Sequence, residues 1–419
     1  MTARPSILAA ILLPLAPVLA AASGPASPAP ALAVAPAPAD APTPQSPDPA
    51  FATAAPASTA ATEPASEEAA DDRLVLGSLK LKISGVIFAL WARELALANQ
   101  PDHTAGANRF DVTRAYVNIE PRITETISLR ITPDVTRVSA AGTSLDGNLA
   151  LRLKYGYVQF DDVLLGARVR GGMQPTPIVD FTDSVWGYRV LGPSPFEIFG
   201  GSPSSDLGAG VGGKQLGGAL EYALLASNGE GYTKAEQSAR DAARYKDVAG
   251  RVTLAPFAEA SGALRKLRLT AMAQYGIVRA TPDGNHVDRA RLYGLASWEG
   301  GLGTLGAGGG PTWDHDAREE GGVRLRNGLL LTAFGWVNLP LNLRLVGRYD
   351  WFDPNLDEEA QALTHPAGRT TRLIAGLAYR FTDEVQVIAD YQRFGYEHPS
   401  GTKATDPGTT AYLHLEAKY

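Results

Sequence analysis

The sequence predicts an all-β fold, a transmembrane antiparallel β-barrel of about 16 strands. Three observations carry this prediction. Apolar and polar residues alternate along many short segments, short and long connections alternate between those segments, and no segment after the N-terminus approaches the length of an apolar membrane helix. Only helices and closed barrels satisfy every backbone polar group in lipid, so a membrane protein without such helices is expected to be a barrel.

The first residues have the composition of an export signal. Arg4 precedes an apolar run over 7–22 that contains two prolines and ends on small alanines. This pattern is typical of a Sec signal peptide rather than of a membrane anchor, with a short buried helix as the alternative. We therefore expect a signal peptide at 1–22 and export to the bacterial outer membrane.

Residues 23–73 are rich in Ala, Pro, Ser and Thr. Such a segment has too little apolar bulk to offset the entropy cost of ordering, so we expect a disordered periplasmic tether. Its seven acidic residues and Arg73 give it a net charge of −6, whereas residues 74–419 hold 36 basic and 37 acidic residues. The acidic balance of the chain therefore belongs to the tether and does not argue against an anion site in the barrel.

The folded region, 74–419, shows hydropathy with a period of two residues. In 149–157 the odd positions are Leu or Tyr, and the even positions are Ala, Arg, Lys and Gly. A strand with one apolar and one polar face suits a barrel that has lipid outside and water inside. Sixteen strands are predicted, near 77–96, 107–119, 125–137, 149–160, 164–174, 206–214, 218–228, 246–256, 264–279, 287–298, 302–313, 322–338, 341–353, 369–381, 384–396 and 409–419.

The predicted connections alternate in length. One set is mostly short, for example 120–124 and 339–340, and the set between them is mostly longer, for example 138–148 and 354–368. Short periplasmic turns alternating with longer external loops are typical of outer-membrane barrels, and this pattern places both ends of the barrel in the periplasm. The longest connection, 175–205, is predicted to fold into the lumen as a constriction.

Within this inward loop, we expect Asp180 or Thr182 to cap a short helical turn that carries Val185 and Trp186. Aromatic residues near the predicted strand ends indicate two girdles at the lipid–water interfaces. The periplasmic girdle comprises Tyr157, Phe160, Trp298, Tyr379, Phe381 and Tyr419, and the external girdle comprises Trp313, Trp351, Phe352, Tyr391, Phe394 and Tyr396.

Several short motifs resemble one known family. They are the run Phe110–Ile119, the Gly-Met-Gln-Pro-Thr-Pro sequence at 172–177, Trp-Gly-Tyr-Arg at 186–189 and the segment from Ala223 to Tyr232. Together they look like the phosphate-selective porin O and P family. The resemblance implies a 16-stranded, usually trimeric and water-filled porin with an inward third loop and a basic lumen. The C-terminal strand, which ends on Tyr419, resembles the signal read by the barrel assembly machinery.

Basic residues outnumber acidic ones on the predicted lumen face. The densest group, which we name the wall patch, lies on three consecutive strands and is joined by Arg189 from the inward loop. Like charges at this spacing raise the local concentration of anions, and Arg suits phosphate oxygens. The alternative is an unselective pore in which Asp180 and Asp183 oppose the patch. The wall patch comprises Arg130, Arg152, Lys154, Arg168 and Arg170.

No catalytic pattern stands out in the sequence. The chain has no cysteine, its six histidines are scattered, and no Ser/His/Asp spacing is evident. An acidic cluster over 314–320 can bind a divalent cation, but a solvated external loop explains it equally well. We expect a channel for small hydrophilic solutes in outer-membrane lipid, with no cofactor, no metal and no nucleic-acid partner. The alternatives are a barrel that is a scaffold for an enzyme or adhesin, and a closed structural barrel.

Overall fold

The computed structural model describes residues 74–76, 79–99, 106–138, 144, 147–232, 245–280, 284–317, 323–357, 367–403 and 406–419. The predicted signal peptide at 1–22 and the tether at 23–73 lie outside these residues. Within the described part of the chain, no helix is long and apolar enough to cross a membrane.

The described residues form one sheet of seventeen strands. Two short helices, α1 (Pro177–Trp186) and α2 (Pro195–Ile198), follow the sixth strand. Short 3-10 turns occupy Arg189–Leu191, Leu216–Gly218, Ala263–Lys266 and Pro399–Gly401. The strands are β1 (Leu74–Leu76), β2 (Leu79–Ala96), β3 (Asn108–Arg122), β4 (Ile127–Arg137), β5 (Leu149–Leu164), β6 (Ala167–Pro175), β7 (Ser205–Gln215), β8 (Leu220–Ser227), β9 (Asp247–Leu254), β10 (Leu267–Ala280), β11 (His286–Gly300), β12 (Gly303–Ala317), β13 (Val323–Asn338), β14 (Leu343–Asp353), β15 (Thr370–Arg380), β16 (Val385–Tyr396) and β17 (Thr409–Lys418).

Strands β2 to β17 form a closed antiparallel barrel of sixteen strands, which confirms the predicted fold. Each strand pairs with its neighbour in the chain, and β17 pairs with β2 to close the ring, with Leu413 opposite Trp91. The three-residue strand β1 pairs with the start of β2, where Leu76 lies opposite Leu79. It lies along the same edge of β2 that pairs with β17 farther along the strand. Within the described strands, closure pairs both edges of the sheet with each other.

The period of two residues has a direct physical reading in β15. Leu373 and Leu377 are 40% and 43% exposed on the outer surface, whereas Ile374 and Ala378, which point inward, are fully buried. Since full burial of a leucine is worth about 1.5–3 kcal/mol, covering the exposed part of one such side chain with lipid is favourable by about 1 kcal/mol. Lipid contact therefore stabilises the outward leucines, and a separate contact inside the barrel must cover Ile374 and Ala378.

A β-bulge in β5 changes the predicted assignment of faces. Lys154 is the extra residue, because Leu153 and Tyr155 lie opposite consecutive residues of β4. An extra residue shifts the alternation by one position, so Tyr155 and Tyr157 turn toward the lumen while Leu153 remains outside. The prediction that the odd positions of 149–157 share one outward face is wrong beyond Leu153, and Tyr157 does not belong to the periplasmic girdle.

Phe352, Phe394 and Tyr396, which were assigned to the external girdle, also face inward, and the Tyr396 ring stacks on the Phe394 ring at 6.4 Å. Phe352 packs against Phe199, with 5.6 Å between the ring centroids, and the Arg372 guanidinium lies 5.2 Å from the centroid of the Phe394 ring. These rings contact groups inside the barrel, so the prediction that they belong to the external girdle is wrong. Aromatic residues with exposed outer positions remain at both ends, including Phe160, Tyr379, Phe381, Tyr391 and Tyr419.

The connections mostly alternate in length around the barrel, as predicted, except that the β9–β10 connection at 255–266 is longer than the β10–β11 connection at 281–285. The β13–β14 turn is short, and Leu341 and Asn342 in it adopt φ values of 63° and 59°. Positive φ at two successive residues is the geometry of a type I′ turn, which matches the twist of the paired strands. At the opposite end, β12 continues to Ala317, so Asp314, His315 and Asp316 lie on a strand and not in the predicted loop. The prediction of an external loop is therefore wrong for these three residues, because this part of β12 pairs with β13 and His315 lies opposite Leu325.

Candidate functional site

The connection between β6 and β7, residues 176–204, lies inside the barrel. We name it the inward segment. It begins with α1, in which Thr176 occupies the N-cap position and Pro177 the first helical position, where its fixed φ suits a helix start. The predicted cap is wrong, because Thr182 lies within the helix and its hydroxyl donates to the Ile178 carbonyl at 2.8 Å.

Apolar contacts hold the inward segment against one side of the lumen. Trp186 is 1% exposed and packs edge-on against Phe334, with 5.4 Å between ring centroids. Phe196 is fully buried and lies 4.6 Å from the Tyr293 ring. The barrel residues beneath are apolar and inward-facing, so the lumen is not polar all round. They include Met272, Leu295, Leu330, Val346, Ile374, Ala378 and Ile388.

Arginines of the same side hold the backbone of the inward segment. Arg291 Nε donates to the Gly200 carbonyl at 2.6 Å, Arg348 Nη1 donates to the Pro193 carbonyl at 2.7 Å, and Arg372 Nη2 donates to the Leu191 carbonyl at 3.0 Å. A buried carbonyl without a partner costs about 1–3 kcal/mol, and a charged donor removes that cost. These three arginines face the lumen and hold the inward segment in position.

The opposite face of α1 is polar. Asp180 is exposed and Asp183 is partly exposed, and both point away from the apolar contacts of the helix. Arg189 Nη1 lies 3.0 Å from Asp183 Oδ2 and also bonds Glu197. Burial raises the pKa of Asp183 to about 6, against the opposing effect of the Arg189 charge. The predicted pore residue Arg189 is thus neutralised by two carboxylates within its own segment.

Asp134 binds Arg152 of the wall patch and its neighbour Arg114. Its buried Oδ2 accepts from Arg114 Nη1 at 2.9 Å and lies 3.2 Å from Arg152 Nη2. The Tyr232 hydroxyl accepts from both arginines, at 2.8 and 2.9 Å. One carboxylate therefore serves two guanidinium groups, so this part of the patch keeps a surplus of positive charge.

Lys154 and Arg130 have shielded positions. Lys154 is 4% exposed, and its ammonium donates to the Tyr116 hydroxyl at 2.7 Å. Arg130 Nη2 donates to Asn118 Oδ1 at 2.9 Å, and its Nε lies 3.4 Å from Glu120. Tyr116 covers Lys154 and Glu120 neutralises Arg130, so these two members of the patch contribute less field to the lumen than their charges alone would give.

Arg168 and Arg170 line a polar cavity of about 90 Å³ between the wall and α1, together with Arg251 and Asp180. Arg168 is exposed, and Arg170 Nε donates to Gln159 Oε1 at 2.7 Å. Within the described part of the chain, neither Arg168 nor Arg170 has a carboxylate within ion-pair distance. This pair therefore presents unneutralised charge to the lumen.

The facing surfaces of α1 and the patch carry a surplus of basic residues. Two tyrosines of this site had no sequence signal, because the β-bulge at Lys154 turns Tyr155 inward and Tyr232 lies in the connection after β8. Tyr116 lies two residues after Arg114 on the same face of β3, so alternation could have found it. The basic members are Arg114, Arg130, Arg152, Lys154, Arg168, Arg170, Arg189 and Arg251, and the acidic members are Glu120, Asp134, Asp180, Asp183, Glu197 and Glu221.

The acidic cluster predicted near 314 is dispersed. Asp314 pairs with Arg291 at 2.7 Å, whereas His315 bonds Asp288, whose other oxygen accepts from Tyr275 at 3.0 Å. Among the described residues, no group of three or more His, Asp or Glu side chains is placed to hold a metal ion. Residues 319 and 320 lie outside the described part of the chain.

Comparisons with known proteins show the fold of outer-membrane porins and channels. No protein-family model matches this sequence, and no curated protein matches it. The outer membrane channel DcaP of Acinetobacter baumannii is similar, with a TM-score of 0.59 and 11% identity over 81% of this chain and 97% of that chain. OmpF of Salmonella typhi, in complex with daunomycin, has a TM-score of 0.56 and 12% identity over 83% of this chain and 98% of that chain. An anion-selective porin from Comamonas acidovorans has a TM-score of 0.54 and 10% identity over 82% of this chain and 100% of that chain.

At this level of identity the likeness concerns the fold. The resemblance to the phosphate-selective porin O and P family therefore stays a prediction, since no family model matches the chain.

Proposed function

We propose that this chain is an outer-membrane porin that lets small hydrophilic solutes diffuse passively, with a bias toward anions. The observation that carries the anion bias is the pair Arg168 and Arg170, which faces a cavity and has no carboxylate within ion-pair distance among the described residues. The closed sixteen-strand barrel and its likeness to solved porins support the channel.

The bias follows from where charge is left unneutralised. On the wall, Asp134 is shared by two arginines, and no carboxylate among the described residues pairs with Arg168 or Arg170. In the inward segment, Asp183 of α1 and Glu197 of α2 are offset by Arg189. Low-dielectric walls focus such a field and raise the local concentration of anions. The alternative is an unselective transverse field, in which Asp180 and Asp183 balance the patch.

The location and assembly belong to the same proposal. The signal at 1–22 exports the chain by the Sec route, the barrel assembly machinery inserts it into outer-membrane lipid, and the tether at 23–73 lies in the periplasm. The two ends of the barrel, Leu79 and Lys418, lie at the end with the short turns, which supports this orientation. A homotrimer is the assembly that the family resemblance implies.

Planar-bilayer recording in a KCl gradient tests the proposal. Wild-type protein should open in conductance steps with a reversal potential of the anion sign. Replacement of Arg168 and Arg170 by Gln should move the potential toward the unselective value. Arg380→Gln is the matched control, because Arg380 bonds Asp383 at the periplasmic end and lies away from the patch. A silent wild-type barrel would favour a closed structural barrel or a scaffold for an enzyme or adhesin.

The phosphate form of the prediction needs a separate measurement. Inorganic phosphate added to the KCl solution should reduce the chloride current of a phosphate-binding channel at millimolar concentration. A chloride current that phosphate leaves unchanged would limit the proposal to general anions.

A further inference from the structure

A recess in the wall beneath α1 owes its shape to glycine. Gly208, Gly210 and Gly212 of β7 have no side chain to fill the lumen, and a methyl group on Gly210 would lie 2.6 Å from Gln174 Oε1. Gly210 and Gly212 line the cavity of about 90 Å³. Since one liquid water takes up about 30 Å³, the recess has room for roughly three waters, or for one carboxylate-sized group.

Three arginines surround this recess. Arg168 and Arg170 flank it on β6, and Arg251 flanks it on β9. Arg251 is held in place, because its Nη1 donates to Thr253 Oγ1 at 2.6 Å and its guanidinium lies 4.4 Å from the centroid of the Phe181 ring. Glu221 lies 3.7 Å from Arg251 and offsets one of the three charges. A group bound in the recess is therefore expected to be an anion.

Asp180 adds a negative charge to the site beside the positive charges of the arginines. Its exposed carboxylate lies in the first turn of α1 and lines the same cavity as the arginines. Among the described residues, Asp180 forms no ion pair. A simple anion in the recess gains attraction from the arginines and meets repulsion from Asp180. A solute with a cationic group beside its anionic group gains attraction from both.

We propose that the recess is a binding site for small zwitterions of the α-amino-acid class. The carboxylate lies among Arg168, Arg170 and Arg251, and the ammonium lies against Asp180. This inference rests on the proposed porin function, because the solute must enter the lumen to reach the recess. It deepens that function by naming small α-amino acids as a solute class that the recess binds.

Influx of three labelled solutes into proteoliposomes tests this site. L-Alanine carries both charges, propionate lacks the ammonium and ethylammonium lacks the carboxylate. In wild type, alanine should enter about two- to fivefold faster than either relative, a factor that one exposed ion pair supports. Asp180→Asn should make propionate at least as fast as alanine. Asp383→Asn, an 84% exposed carboxylate at a periplasmic turn, is the matched control and should keep the wild-type order.

A second variant tests the shape of the recess without a change of charge. Gly210→Ala fills the recess or pushes Gln174 into it, so the advantage of alanine should fall while the reversal potential in KCl stays at its wild-type value. An alanine-to-propionate ratio that is the same in wild type, Asp180→Asn and Gly210→Ala would overturn the inference. The porin proposal fails separately, by the absence of KCl conductance. Normal anion-biased conductance without an alanine advantage would sink this inference alone.

Discussion

The two halves of the lumen wall differ in what they contact. On the inner face of β10–β16, an apolar cluster packs against the inward segment beside the arginines that bond its backbone, and Leu330 and Ile374 of this cluster are fully buried. The inner face of β3–β9 carries the wall patch and faces the polar side of α1. The same alternation in sequence therefore has two consequences: one half of the barrel fixes a plug-like segment, and the other half leaves a charged passage beside it.

This difference indicates how the inward segment would narrow the proposed pore from one side. Apolar contacts and arginine-to-carbonyl bonds hold the inward segment on one side, so the polar face of α1 is presented to the other side at a fixed distance. In the proposed porin, residues of the patch set the selectivity of the passage, and the residues that hold the inward segment set its width.

The largest expected effect comes from removing an apolar contact between the inward segment and the barrel. Trp186→Ala should remove about 3–5 kcal/mol of packing against the barrel. The inward segment should then leave its wall, and single-channel conductance should rise while the anion bias falls. Phe381→Ala, which removes an aromatic ring that is 59% exposed on the outside, is the control and should conduct as wild type does. Equal conductance of Trp186→Ala and wild type would contradict this assignment.

The second effect concerns the charged half. Asp134→Ala leaves Arg114 and Arg152 without their shared carboxylate, which should destabilise the barrel by about 3 kcal/mol. The surviving channels should be more anion-selective than wild type, because two guanidinium groups lose their neutralising partner. The temperature at which the folded band is lost on unheated gels gives the first quantity, and the reversal potential gives the second. A lower anion selectivity would argue that Asp134 does not offset the patch.

The smallest effect is a dependence on pH. The raised pKa of Asp183, about 6, means that this carboxylate is charged at pH 7.5 and protonated at pH 5. Acidification removes one negative charge from the face of α1 opposite the patch, so the anion bias should increase modestly as pH falls through 6. Reversal potentials at the two pH values measure the change. Asp183→Asn should abolish it, and an equal change in that variant would assign it to another group.

Sequence reasoning predicted the strands well because their signal is local. Hydropathy alternates within each strand, and turn lengths alternate between strands, so β14 and β15 can be placed without knowing their neighbours. The β-bulge at Lys154 has no such signal, since Leu and Tyr continue on odd positions through 149–157. Tyr155 and Tyr157 therefore changed face without any change in the pattern.

The contacts of the inward segment could not be predicted for a different reason. Gln392 Nε2 donates to the Leu191 carbonyl at 3.0 Å, and these residues lie 201 positions apart in the chain. Ile374 and Leu330 occupy inward positions in strands, yet nothing near them in sequence indicates what covers them. The basic residues of the patch were found by alternation, whereas their neutralising partners depend on the distances between strands and α1.

The central claim is that solutes pass between α1 and the wall patch. Since the chain has no cysteine, Arg170→Cys gives a single target for charged thiol reagents during bilayer recording. A cationic methanethiosulfonate should restore the anion bias that the substitution weakens, and an anionic one should reduce it further. Leu373→Cys, on the outer surface, should respond to neither. Currents through Arg170→Cys that neither reagent alters would contradict the account, because Arg170 would then lie outside the conducting path.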